Sequence, residues 1–261
     1  MVAPGTDEPN MSIQRTNISC QEVKTIASWN IHLQNAEKRE SFVSFISSQS
    51  NIQLCGVVET WLNDSDILMA KQLENTDFEW IGNDRKGTRG GGVGFMVKGN
   101  LNPSKVLESK DGNELWISIG LKDKWYVGIV YITPTEKDYE TRLQNLQQNV
   151  FKFAIKGRVI IMGDFNARVG ELPNIIPNDS SGEEKYYNRS SLDKICNARG
   201  KSLMESLNAA NLLLLNGMDS IAKFTSHQMA GSATIDFVWT LQADLNIVRN
   251  LTVWNDHPSI E

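Results

Sequence analysis

Short apolar runs of strand length recur along almost the whole chain of 261 residues, and this recurrence constrains the fold more than any other feature. They read at residues 25–31, 54–58, 92–97, 115–119, 125–132, 159–162, 212–215, 235–240 and 251–254. In the first run, alternation puts Trp29 and Ile31 on one face and Asn30 and His32 on the other. Helical spacing interrupts the runs. Phe42, Phe45 and Ile46 mark one helix, and between Asp138 and Lys156 the set Tyr139, Leu143, Leu146, Val150 and Phe153 recurs at steps of four and three. A polar loop with Pro173 and Pro177 runs to Asn197, which suits the N-cap of a further helix burying Leu203, Met204 and Leu207. Strands joined in part by hairpins and in part by helices, with no Gly/Ser linker and no repeat, imply one mixed α/β domain with sheet packed on sheet.

The expected domain spans residues 25–261 after a polar, flexible leader at 1–24. The chain stops at Glu261, five residues after Asp256, so the domain is expected to lack its last strand. Cys20, Cys55 and Cys196 form no CxxC pair, which argues against a disulfide framework or a thiolate zinc site and fits a reducing compartment. No stretch approaches a membrane span, and the polar start lacks the apolar run of a signal peptide. The expected location is intracellular, cytoplasmic and nuclear, with no membrane partner.

The net charge of −5 disfavours wholesale phosphate binding. The charge is uneven, however. Residues 171–193 are acidic, whereas residues 84–98 hold Arg85, Lys86, Arg89 and Lys98 against one acid, so Arg89 is a candidate substrate contact.

Polar groups gather where the apolar runs end. Asn30 and Glu59 each follow one such run. In the segment Gly163-Asp164-Phe165-Asn166, strand alternation would point Asp164 and Asn166 the same way, and a turn in which both bond nearby backbone is the competing reading. Asp236 interrupts an apolar strand, where a carboxylate is costly unless paired, and Asn255-Asp256-His257 sits at the chain end. Together they make a hard, oxygen-rich set with one imidazole. Such a set suits Mg²⁺ and phosphate chemistry better than zinc.

The segments Ser28-Trp29-Asn30, Val58-Glu59-Thr60-Trp61-Leu62, Gly90-Gly91-Gly92-Val93, Val130-Tyr131, Gly163-Asp164-Phe165-Asn166, Ile235-Asp236 and Asp256-His257 keep one order along the chain. In that order they resemble the motifs of the endonuclease/exonuclease/phosphatase superfamily. More narrowly, with the Arg-Gly-Gly-Gly-Val run and the segment from Asn197 to Leu203, they resemble the N-terminal endonuclease domain of LINE-type (non-LTR) retrotransposon polyproteins. The resemblance implies an α/β, deoxyribonuclease-like four-layer sandwich, two packed mixed β-sheets flanked by helices, with the site at one edge.

By the same resemblance, Glu59 matches the principal metal-ligand carboxylate, with Asn30 and Asp256 beside the same Mg²⁺, for which Mn²⁺ may substitute. His257 matches the catalytic imidazole and Asp236 the acid that orients it. Asp164 and Asn166 match the pair that handles the water and the scissile phosphate, and Tyr131 the phenol that steadies the phosphate or leaving group. Asn255 stands where the family usually has Ser, and its amide can still donate to a phosphate oxygen. Thr225, Ser226 and His227 begin a segment that matches a hairpin entering a DNA groove in the retrotransposon subgroup, and they are candidate substrate contacts. His32 stays unassigned.

The implied function is a metal-dependent DNA endonuclease that leaves a 3′ hydroxyl nick for target-primed reverse transcription, with DNA as partner and a fused reverse transcriptase. A phosphoinositide or sphingolipid phosphatase of the same fold is the rival, and an inactive relic copy is the third reading. A lipid enzyme should carry an exposed apolar loop or a basic amphipathic helix near the site, and none is legible. A relic should have lost catalytic side chains, and all are present.

Overall fold

The apolar runs sort into two sheets, and in each of them one pair of neighbouring strands is parallel and joined through a helix, as a parallel pair requires. The structure, a computed structural model, describes residues 25–86, 90–120, 123–177, 183–229 and 231–253. The first part of the chain supplies β1 (Thr25–Asn30), α1 (Ala36–Ser48), β2 (Ile52–Val58), α2 (Ser65–Leu73), β3 (Phe78–Asn83) and β4 (Val93–Lys98). Next come β5 (Ser104–Glu108), β6 (Glu114–Ile119), β7 (Trp125–Tyr131), α3 (Tyr139–Ala154) and β8 (Arg158–Asp164). A small antiparallel pair, β9 (Asn174–Pro177) and β10 (Glu184–Tyr187), precedes α4 (Ala198–Ala209) and β11 (Leu212–Leu214). A hairpin of β12 (Ser226–Gln228) and β13 (Gly231–Ala233) then leads to β14 (Asp236–Leu241).

One sheet has the order β1-β2-β4-β3 and the other β11-β14-β8-β7-β6-β5. The pairs β1/β2 and β7/β8 are parallel and every other pair in these sheets is antiparallel, so both sheets are mixed.

The sheets meet face to face. Leu54, Val58, Val93, Phe95 and Val97 of one pack on Leu115, Ile117, Val127, Ile129, Ile160 and Met162 of the other. At roughly 1.5–3 kcal/mol for each fully buried large apolar side chain, this layer is a principal source of stability. Gly56 lets the sheets approach, since a Cβ there would lie 2.9 Å from Ile129 Cδ1. On the outer faces, Phe42, Val43 and Ile46 of α1 and Met69 and Leu73 of α2 cover the first sheet, and Leu143, Leu146, Val150 and Leu203 of α3 and α4 cover the second. The result is the expected four-layer sandwich, helix on sheet on sheet on helix.

α3 is the helix read from its spacing, and Asp138 caps it by accepting from the Thr141 N–H. Asn197 caps α4 by accepting from Gly200 N–H at 2.8 Å. Two expectations are corrected. The polar loop before Asn197 contains the β9/β10 pair, anchored where buried Asn174 in β9 exchanges side-chain hydrogen bonds with the backbone of Leu214 in β11. Of the strand expected at 251–254, residues 251–253 are irregular and line a cavity of about 200 Å³ with Asn216, Gly217 and Ala222, and Trp254 lies outside the described residues. No helix among the described residues is long and apolar enough to cross a membrane.

Candidate active site

Both parallel pairs end at the same edge of the sandwich, and this brings their terminal residues together. β1 ends on Asn30, opposite Val58 of β2, and Glu59 follows at once. β7 ends on Tyr131, whose register partner is Asp164, the last residue of β8. β14 runs antiparallel to β8 and starts on Asp236, which is Asp164's partner on the other side. The side-chain N–H of Asn30 then donates to Asp164 Oδ2 at 3.2 Å, across the gap between the sheets.

Glu59 sits on a bent backbone. Its φ is +55° and that of Trp61 is +58°, a left-handed conformation that costs of order 1–3 kcal/mol for a residue other than Gly and persists only when its surroundings hold it. The hold comes from the glycine run: the Thr60 N–H donates to Gly92 O and the Trp61 N–H to Gly91 O. Gly92 itself has φ +84°, and a Cβ there would lie 2.5 Å from Thr60 Oγ1. The run therefore braces the carboxylate that follows β2.

The Glu59 carboxylate accepts from Trp61 Nε1 at 3.2 Å through Oε2, and His32 Nε2 lies 3.3 Å from the same oxygen. The His32 and Trp61 rings stack at 4.3 Å. His32, left unassigned by sequence, thus belongs to the cluster. Its signal was already legible, because alternation puts it on the same face as Asn30.

Asp164 is buried. Its Oδ1 accepts from the Asn166 backbone N–H at 2.8 Å, and the Asn166 side chain donates to Ile132 O at 3.0 Å. Asn166 has φ +45°, so β8 stops at Asp164 and Asn166 is placed by a turn instead of by strand alternation. The segment is thus a turn, and the turn lies inside the cluster.

Burial, then the Asp236 charge, drives the Asp164 carboxyl above its ordinary range against the pull of its hydrogen bonds. Burial also raises the Asp236 carboxyl, opposed by the Thr225 hydroxyl and assisted by the Glu59 charge. Tyr131 is pushed well above the usual phenol range by burial first, and then by the charge of Glu59 and a hydrogen bond to it.

The charges of Glu59 and Asp236 raise Asp164, and that of Glu59 raises Asp236, so the three carboxylates repel one another. Glu59 with Asn30 suits a small divalent cation that keeps several waters, and a cation there would relieve the repulsion recorded in the raised carboxyls. Among the described residues, no group of three or more acidic, histidine or cysteine side chains is placed to hold a metal ion together. Asp256, the third expected ligand, lies outside the described residues, as do His257, Asn255 and Arg89.

Thr225 stands at the root of the β12/β13 hairpin. Its Oγ1 accepts from the backbone N–H groups of Ile235 and Asp236, each at 3.1 Å. Ser226 pairs with Ala233, and His227 with Ser232, where His227 Nδ1 is 2.9 Å from Ser232 Oγ. Met229 projects fully exposed from the tip.

A family model described as endonuclease-reverse transcriptase matches residues 125–261. The endonuclease domain of TRAS1, a telomere-specific non-LTR retrotransposon, superposes with a TM-score of 0.63 at 15% identity, covering 88% of this chain and 89% of that one. The AP endonuclease LMAP of Leishmania major gives 0.59 at 13% identity over 82% of this chain and 78% of that one. A 3′ phosphatase of Neisseria bound to a product DNA hairpin gives 0.59 at 13% identity over 84% and 86%. At these identities the solved structures speak for the fold alone. No curated protein matches the sequence.

Proposed function

We propose, for a chain that belongs to the endonuclease-reverse transcriptase family, that it is a divalent-metal-dependent DNA endonuclease. It cuts one strand to leave a 3′ hydroxyl, which a linked reverse transcriptase extends. The observation that carries this reading is the meeting of Asn30, Glu59, Tyr131, Asp164 and Asp236 at one sandwich edge, where Asn30 bonds Asp164 across the two sheets.

Hydrolysis that leaves a 3′ hydroxyl joins a water oxygen to phosphorus and breaks the bond from phosphorus to the 3′ oxygen, which takes a proton. Glu59 and Asn30, with Asp256, would hold Mg²⁺ or Mn²⁺. When bound, the cation supplies Lewis-acid stabilisation of the charge that grows on the phosphate oxygens. Asp164, with its raised proton affinity, is suited to orient the water and draw on its proton, and Asn166 beside it to hold the phosphate. Tyr131 keeps its proton at all ordinary pH and can donate to an oxygen of the substrate. His257 is assigned the proton transfer and Asp236 its orientation. The hairpin at Ser226–Gln228 and Gly231–Ala233 is assigned to groove reading, where loops select the site and rigid strand ends do the chemistry. Such a protein would work inside the cell, where DNA is reached.

End analysis tests the product. Plasmid nicked by the protein should prime a DNA polymerase directly, without phosphatase treatment. Ends that need phosphatase first would contradict the proposed bond cleavage. A protein that leaves DNA intact yet releases phosphate or phosphocholine from lipid headgroups would overturn the reading in favour of a lipid enzyme.

A further inference from the structure

Arg168 and Asp193 are 25 residues apart and neither belongs to the cluster described above. Arg168 donates to Asp193 through Nε at 2.8 Å and through Nη2 at 2.5 Å, the paired geometry that a guanidinium makes with a carboxylate. Asp193 is buried, and its carboxylate also accepts from the backbone N–H groups of Ile195 and Thr234, each at 3.0 Å. Arg168 Nη2 reaches Ser232 O at 3.4 Å as well. Ser232 lies in β13 and Thr234 directly follows it, so the pair grips the returning arm of the hairpin.

The other end of the grip is the turn after β8. Arg168 lies two residues beyond Asn166, and its backbone is fixed to α4: the Arg168 N–H donates to Asn197 Oδ1, and the Asn197 N–H to Arg168 O. The outgoing arm of the hairpin is fixed separately, by Thr225 on the backbone of Ile235 and Asp236. Each arm is therefore tied to a segment that carries a cluster carboxylate, Asp164 with Asn166 on one side and Asp236 on the other.

We propose that Arg168 and Asp193 are positioning residues that set the angle of the hairpin over the strand ends, and so determine which phosphodiester of a bound DNA is presented for cleavage. The inference rests on the nuclease reading and on a hairpin that touches DNA. Neither residue needs to touch DNA itself. A lysine at 168 keeps the charge but loses the planar fork, so it cannot restore the angle.

The test is a map of cut positions on one end-labelled duplex, with kcat and KM from the same reactions, for the wild type, Arg168→Lys, Arg168→Gln, Asp193→Asn and the double variant Arg168→Gln with Asp193→Asn. A variant with the hairpin residues 226–232 replaced by Gly and Ser serves as reference. All variants are assayed well below their melting temperatures. The expected result is that each single variant lowers the ratio of preferred to other cut positions by at least about fivefold, with total cutting within about threefold of wild type. The double variant should do no more than either single one, because the two residues act as one unit.

Other outcomes overturn the proposal. A wild-type pattern in Asp193→Asn refutes the clamp. A raised KM in Arg168→Gln that Arg168→Lys corrects, with the pattern kept, makes Arg168 a phosphate contact. Loss of total cutting with the pattern kept makes the pair merely structural. If Asp193→Asn does not fold, the Arg168→Lys and Arg168→Gln maps decide alone. If the reference variant changes the pattern and the clamp variants do not, the nuclease reading stands and this inference falls; a wild type that cuts nothing removes both.

Discussion

The Asn30 side chain donates to Asp164 Oδ2 at 3.2 Å, and this bond joins the last residue of a strand in one sheet to the last residue of a strand in the other, 134 positions away. The cluster is thus assembled only when the sheets are packed in their final register. Removing the donor leaves a buried carboxylate short of one partner, a loss of about 1–3 kcal/mol. Felt in the transition state, that is about 5- to 160-fold in rate. Asn30→Ala should therefore slow nicking at least about fivefold while the far-ultraviolet spectrum of the fold is kept, and nicking at the wild-type rate would remove Asn30 from the site.

Asp236 is half-buried, and its backbone N–H is fixed by Thr225 Oγ1. Asp236→Asn keeps the shape and removes the charge assigned to orient His257. Turnover should drop by about 10²-fold, the range of one lost acid-base contribution, with DNA affinity little changed. Binding by fluorescence anisotropy beside single-turnover nicking separates the two quantities. A weaker complex with unchanged turnover would place Asp236 in substrate binding.

Gly92 braces the turn that carries Glu59, and its φ of +84° is strained for any residue with a Cβ. Gly92→Ala also drives a carbon against Thr60 Oγ1, so a stability loss of about 1–3 kcal/mol is expected, together with loss of nicking. Denaturant melts and the plasmid assay check both. Full activity would show that the glycine run is not needed to hold Glu59.

Burial pushes the Asp193 carboxyl up, but the Arg168 guanidinium and two backbone N–H groups outweigh it and hold the group below its ordinary value. For an acid with a depressed folded value, the stabilisation is present above the unfolded value near pH ~3.9 and is lost as pH falls through the folded one. Asp193→Asn should thus cost about 2 kcal/mol at neutral pH, and the gap to wild type should narrow below about pH 4 as the wild-type carboxyl takes up a proton. Thermal melts of the two proteins from pH 7 to 3 measure the gap. A gap independent of pH would show that the charge of Asp193 contributes nothing to the fold.

Much of this was legible in the sequence because strand ends announce themselves. Glu59, Asp164 and Asp236 each interrupt or follow an apolar run, and an acid there needs a reason. α3 was legible because its buried positions recur at steps of four and three. α2 was not, since Ile67 is exposed and only Ser65, Met69 and Leu73 are buried, too few to mark a stripe. β3 and β5 sit at sheet edges, where one neighbour imposes less apolar alternation than two. The Arg168–Asp193 pair left no sequence signal at all. Its members look like ordinary surface charges until the hairpin, the turn after β8 and the loop before α4 are brought together in space.

The central claim is that this edge of the sandwich is a metal-dependent nuclease site built on Glu59. The most direct measurement is conversion of supercoiled plasmid to open circles by the wild type and by Glu59→Gln across a titration of Mg²⁺ or Mn²⁺, with excess chelator as the zero point. The wild type should nick only when the divalent ion is present, and Glu59→Gln, which keeps the shape but weakens the ligand, should nearly abolish nicking. Full nicking in excess chelator, or a Glu59→Gln titration superimposable on the wild type, would contradict the claim.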